Sequence, residues 1–157
     1  MRSLRLPRRP FAVLAWMALS GAIHPLFAAD PASDVAAIQS LLKLAFEKPD
    51  APLVVDPVTV GKTHAVAGWR QQQRGGRALL KQQGASWTIV LCSGEPLTRA
   101  DGLMEAGVPA DEARALASGI ARQEARLDDG ARRMLSSFEG TVDMTSHSLP
   151  SHHPQHP

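Results

Sequence analysis

The stretch from His64 to Gly94, HAVAGWRQQQRGGRALLKQQGASWTIVLCSG, limits the fold more tightly than any other part of the chain. Its apolar residues come in three short runs separated by glycine-bearing segments, which is the spacing of strands and turns rather than of a helix. Trp87-Thr88-Ile89-Val90-Leu91-Cys92 is continuously apolar and β-branched, as expected of a strand buried on both faces or central in a sheet. Arg77 to Lys81 is a shorter run, bounded by Arg74-Gly75-Gly76 and Gln83-Gly84-Ala85-Ser86. Both boundaries suit turns because Gly tolerates positive φ. From His64 to Arg70, alternation puts Ala65, Ala67 and Trp69 on one face and Val66 and Gly68 on the other. Three such strands in succession predict an antiparallel meander.

The flanking segments extend this unit. Ser33 and Asp34 are suitable N-caps for a helix to about Lys48, with Val35, Ile38, Leu41, Leu42, Ala45 and Phe46 at helical spacing and Pro49 as the stop. Leu53-Val54-Val55 and Val58-Thr59-Val60 read as a further strand that Pro57 places at an edge or breaks. A helix followed by a four-stranded antiparallel meander predicts an α+β roll of the cystatin-like or nuclear-transport-factor-like kind, the helix lying across one sheet face. After Gly94 the pattern turns helical. Leu97 to Ala106 is short and weakened by Gly102, and Pro109-Ala110-Asp111-Glu112 opens a longer helix with two acids near its positive end. Leu116, Ile120, Ala121 and Leu127 give that helix an apolar side, while Arg122, Glu124 and Arg126 are expected to face water. Asp128-Asp129-Gly130 breaks it, Arg132 to Phe138 adds a last turn or two, and residues 140–144 allow one more short strand.

Residues 1–29 are set apart from this domain. Arg2, Arg5, Arg8 and Arg9 precede an apolar run from Phe11 to Ile23, and Phe27-Ala28-Ala29 ends in small residues, the pattern of a signal peptide. The apolar run is shorter than the roughly 20 residues of a membrane span. A general secretory signal and periplasmic location are expected, and Arg8-Arg9-Pro10-Phe11 keeps a twin-arginine route open. Four of the 17 Lys and Arg lie in this leader, which leaves 13 against 15 Asp and Glu in residues 30–157. The basic balance of the whole chain is therefore no argument for nucleic-acid binding. Cys92 is the sole cysteine, so packing rather than a disulfide within the chain must hold the domain, read as residues 30–143.

The end of the chain carries the densest chemistry. His147, His152, His153 and His156 follow Met144 in a Pro- and Ser-containing tail, read as a disordered, flexible segment from residue 144 to 157. Imidazoles gathered on such a segment can converge on one ion, copper(II) heads the divalent affinity order, and a thioether suits copper(I). The plainer readings are a solubilising tail that meets metal incidentally and, for Met144, a packing residue. Cys92 reads first as a small buried hydrophobe, with a copper(I) ligand or redox-active thiol as its functional alternative. His64, at a strand start after a turn, reads as a solvated or capping imidazole, with metal ligation as the alternative. The acids Asp56, Asp101, Glu105 and Asp143 show no paired spacing, and neither a phosphate loop nor a nucleophile elbow occurs. A non-catalytic protein is expected.

Taken together, AFEKPDAPL at 45–53, VDPV at 55–58, HAVAGW, RGGRALL, WTIVLCSG, AGVP at 106–109 and the Met- and His-containing end resemble the small exported copper uptake system-associated proteins. The resemblance spans nearly everything after the leader. It implies copper as the bound ion and, as a partner, an outer-membrane copper receptor or another component of an uptake system. Two functions follow. One is a periplasmic copper-binding accessory protein that captures or passes on copper through its tail. The other is an interaction module that uses the sheet's concave face or the Arg70 to Arg77 turn, with incidental metal binding.

Overall fold

In the computed structural model, residues 31–145 are described. The leader and the four tail histidines lie outside them. Among the described residues the order is α1 (Pro31–Phe46), β1 (Leu53–Val60), β2 (His64–Gln71), β3 (Arg74–Gln83), β4 (Ser86–Ser93), a 3₁₀ turn (Glu95–Thr98), α2 (Ala100–Glu105), α3 (Ala110–Glu124), α4 (Asp129–Leu135) and β5 (Thr141–Asp143). The strands form one antiparallel sheet in chain order, β1 to β5. β1 to β4 are the expected four-stranded meander, and the sheet gains a fifth strand, the short one that residues 140–144 allowed, after the helices.

The alternation read in β2 separates two cores. Ala65 and Ala67 join Ala78, Leu80, Trp87 and Cys92 beneath Ile38 and Leu42 of α1, with Trp69 packed against them. Val66 and Leu79 face the opposite way, under Leu97, Leu103, Leu116 and Ile120. Helices thus lie on both sides of the sheet. Burying a side chain such as Ile38 or Leu42 contributes about 2 kcal/mol, so α1 is held by its apolar stripe more than by its own propensity. Side-chain bonds fix its angle: the Trp87 indole N–H donates to Asp34 Oδ1 at 3.0 Å, and Gln39 donates to the Val55 carbonyl at 3.1 Å. Asp34, read as an N-cap, lies within the helix and serves the sheet instead.

Three local expectations are corrected. Gly75 and Gly76 are not a turn but the start of β3, whose turn is Gln72-Gln73 with Gln72 at φ 55°. Those positions are glycine because covering structure comes too close: a Cβ on Gly75 would lie 2.7 Å from the Met134 carbonyl oxygen, and one on Gly76 2.9 Å from the Phe138 Cβ. Second, β3 rather than β4 is the most deeply buried strand. Ala78, Leu79 and Leu80 are fully buried, whereas β5 pairs only with Leu91 to Ser93 and leaves Thr88 exposed and Ile89 half-buried. Third, α4 begins at Asp129, because Asp128 caps it by accepting from the Ala131 N–H at 2.8 Å. Of the two effects expected of Pro57, the edge position is the one found: β1 is an edge strand that runs unbroken through Pro57, with only a register shift between Val55 and Val58.

Candidate functional site

The C-terminal half of β4 delivers Cys92 to the α1 side of the sheet, opposite Val142 of β5. Just past β5, the Met144 N–H donates to the Val90 carbonyl at 2.9 Å, which holds the start of the tail against β4. Cys92 and Met144 thereby line one cavity of about 210 Å³, walled by Phe46, Leu53, Trp69 and Phe138. Trp69 and Phe138 meet edge to face with ring centroids 5.7 Å apart, the geometry favoured by the ring quadrupoles. The close Gly76 approach brings Phe138 onto Trp69. Burial pushes the Cys92 thiol up to about 11, so it is neutral and a poor nucleophile near pH 7. What the cavity offers is two soft sulfur groups in an apolar enclosure. Met144 and Thr145 also border a wider groove with Leu41, Leu44, Trp87 and Ile89, in which Leu44 is 88% exposed.

His64 lies on the other face. It is buried rather than solvated, and its neighbours explain why. Glu112 of α3 accepts from the backbone N–H groups of Thr63 at 2.6 Å and His64 at 2.9 Å and from the Thr63 hydroxyl at 2.8 Å, with His64 Nδ1 at 3.2 Å. A proton on Nδ1 satisfies both Glu112 and the Thr63 oxygen 2.9 Å away. Burial alone would raise the Glu112 carboxyl, but the Thr63 and His64 donors together outweigh it and hold it at about 2. The arrangement fastens the β1–β2 turn to the first turn of α3.

A buried ion pair sits at the far end of α3. Arg77, only 2% exposed, donates through Nε and Nη2 to the two Glu124 oxygens, each at 2.7 Å. Its Nη1 donates to the carbonyls of Gly94 and Leu135, both at 3.1 Å. Glu124 therefore turns inward, against the expectation that it faces water, while Arg122 and Arg126 are exposed as expected. Ala121, assigned to the apolar side, is exposed. The Arg70 to Arg77 segment is likewise not one exposed basic turn, since Arg77 is consumed by this network.

Of the sequence-derived site residues, Cys92 and Met144 are brought together and His64 is separated from them by the sheet. His147, His152, His153 and His156 lie outside the described residues, among which no group of three or more His, Cys, Asp or Glu side chains is placed to hold a metal ion. Copper's fit to the described residues therefore rests on the two sulfur groups. Glu112 and Glu124 were not foreseen as buried, although a signal existed: they stand at four-residue steps from Leu116 and Ile120 and border the same stripe. Among the described residues no helix is long and apolar enough to cross a membrane. Compared with protein-family models, with curated proteins and with solved structures, the chain has no match.

Proposed function

We propose that this is an exported, non-catalytic copper-binding accessory protein of a copper uptake system, in which the folded domain anchors a metal-capturing tail. The observation that carries the reading is the joint placement of Cys92 and Met144 in one apolar cavity at the point where the His-bearing tail leaves the sheet. Thiol and thioether are the soft donors that favour copper(I) over harder ions. Cys92 and Met144 would hold the ion on the domain side, with His147, His152, His153 and His156 as the imidazole donors of the tail. Copper, when bound, supplies a thiolate–metal bond in place of the S–H bond. The residues around Cys92 keep the thiol protonated until metal arrives, so binding there releases a proton. The order of α1 and meander, with α1 across Ala65, Ala67 and Ala78, supports reading the domain as a cystatin-like roll.

The test is competition titration with copper(I) under reducing conditions, using the wild type, Cys92→Ser, Met144→Leu and a chain truncated after Thr145. Each change is expected to weaken binding by about tenfold or more, a loss of about 1.4 kcal/mol. Equal binding by all four would remove the carrier function. The exposed Leu44 and its groove favour the second reading, an interaction module of the same uptake system. That reading gains if Leu44→Asp abolishes the copper-uptake phenotype while copper affinity is unchanged.

A further inference from the structure

The α3 side of the sheet carries a second cleft, unrelated to the sulfur cavity. It has a volume of about 400 Å³, within the ~300–1,000 Å³ of small-molecule sites, and lies between the end of β1 and the flank of α3 that packs on it. Arg122 and Arg126 line it beside Gln123, and Val60 and Ala115 form its accessible apolar wall.

Three observations point to an anionic occupant. Arg122 and Arg126 are four residues apart, so their like charges repel along the same ridge unless a counter-charge joins them. The acids that α3 could have used are engaged elsewhere: Asp111 with Arg114, Glu112 with Thr63 and His64, and Glu124 with Arg77. Among the described residues neither Arg122 nor Arg126 pairs with an acid. Finally, the Thr59 hydroxyl is buried at this cleft with no hydrogen-bond partner, in a residue only 7% exposed. A favourable placement of cations near the helix C-terminus accounts for the two arginines. It does not account for an unpaired hydroxyl beside them.

The cleft also discriminates among anions. Guanidinium forks match the planar carboxylate with paired hydrogen bonds. The half-buried Val60 and the exposed Ala115 give a carbon skeleton apolar surface to cover, which an inorganic ion would leave wet. We propose that the β1–α3 cleft binds a small organic carboxylate through Arg122 and Arg126, with its carbon skeleton against Val60 and Ala115.

The experiment is calorimetric titration of the full chain with citrate and, separately, with inorganic phosphate at matched low ionic strength, with backbone amide shifts of Thr59, Ala115 and Gly119 locating the site. Arg122→Gln/Arg126→Gln is compared with Arg114→Gln, whose arginine is exposed on the same helix and outside the cleft. Saturable citrate binding that shifts those amides, weakens about tenfold or more in the double variant and survives in Arg114→Gln is the expected result. No saturable binding, equal loss in both variants, or binding of phosphate in preference to citrate would overturn the proposal.

Discussion

Neutralising Glu124 should destabilise the fold severely, because it unpairs Arg77, the most deeply buried charged side chain among the described residues. Arg77 is 2% exposed and makes four hydrogen bonds, two of them to the Glu124 carboxylate. Glu124→Gln strands most of a guanidinium charge that cannot rehydrate, and removing one partner of such a pair costs about 3–5 kcal/mol. That is a large part of the ~5–15 kcal/mol by which a domain is stable. Arg77→Met is a different injury. Glu124, with its side chain 13% exposed, can turn to water, but the Gly94 and Leu135 carbonyls lose their donor at about 1–3 kcal/mol each. Because the double variant Arg77→Met/Glu124→Gln keeps the second injury and abolishes the first, its loss should fall short of the summed single losses by the size of the first, about 3–5 kcal/mol. Urea unfolding at pH 7, followed by the fluorescence of Trp69 and Trp87, measures all three variants. A Glu124→Gln variant within ~1 kcal/mol of wild type, or strict additivity in the cycle, would refute the reasoning.

Three further outcomes are expected. Glu112 is held at about 2 against an ordinary 4.5, which corresponds to ~3 kcal/mol, or ~2 after a discount for solvent screening. A depressed carboxyl contributes fully above pH 4.5 and loses its contribution as pH falls toward 2, so Glu112→Gln should flatten the pH dependence of unfolding in that window, and an unchanged slope would count against the Thr63–His64 network. Thr59→Val removes an unsatisfied buried hydroxyl and should stabilise the protein by about 1 kcal/mol in carboxylate-free buffer, a melting shift that calorimetry detects and that a destabilised variant would contradict. The Cys92 thiol should react with iodoacetamide at pH 7 only on unfolding, and rapid alkylation of the native protein would show that its cavity opens to solvent.

The fold was legible wherever a period carried it. The alternation of Ala65, Val66 and Ala67 assigned each to the core it occupies, and Ile38, Leu42, Leu116 and Ile120 are buried as their spacing required. What failed to show was long-range chemistry. Gly75 and Gly76 carry the local signature of a turn, yet their absent side chains admit α4 and Phe138, which arrive about sixty residues later in the chain. Glu124 reads as a solvated acid because surface is the cheaper place for a lone carboxylate, and Glu112 reads as an acid serving the positive end of its helix. Only their cationic or N–H partners, Arg77 on β3 and Thr63-His64 at the start of β2, make the inward rotamer favourable.

The sheet itself narrows where copper could sit. Cys92 lies on the α1 side with Met144, and His64 on the α3 side against Glu112. Metal–ligand bonds are about 2 Å long, and side chains on opposite faces diverge from a shared backbone layer. One ion therefore cannot use Cys92 and His64 together. His64 would also have to give up the Glu112 contacts that fasten α3 to the β1–β2 turn, or bind through Nε2 alone. Cys92 has no such commitment, and Met144 lines the same cavity on that side of the sheet. If copper is bound by domain and tail jointly, Cys92→Ser must change the affinity while His64→Gln leaves it unaltered in any variant that still folds. The reverse pattern would place the metal on the α3 side and detach the tail from it.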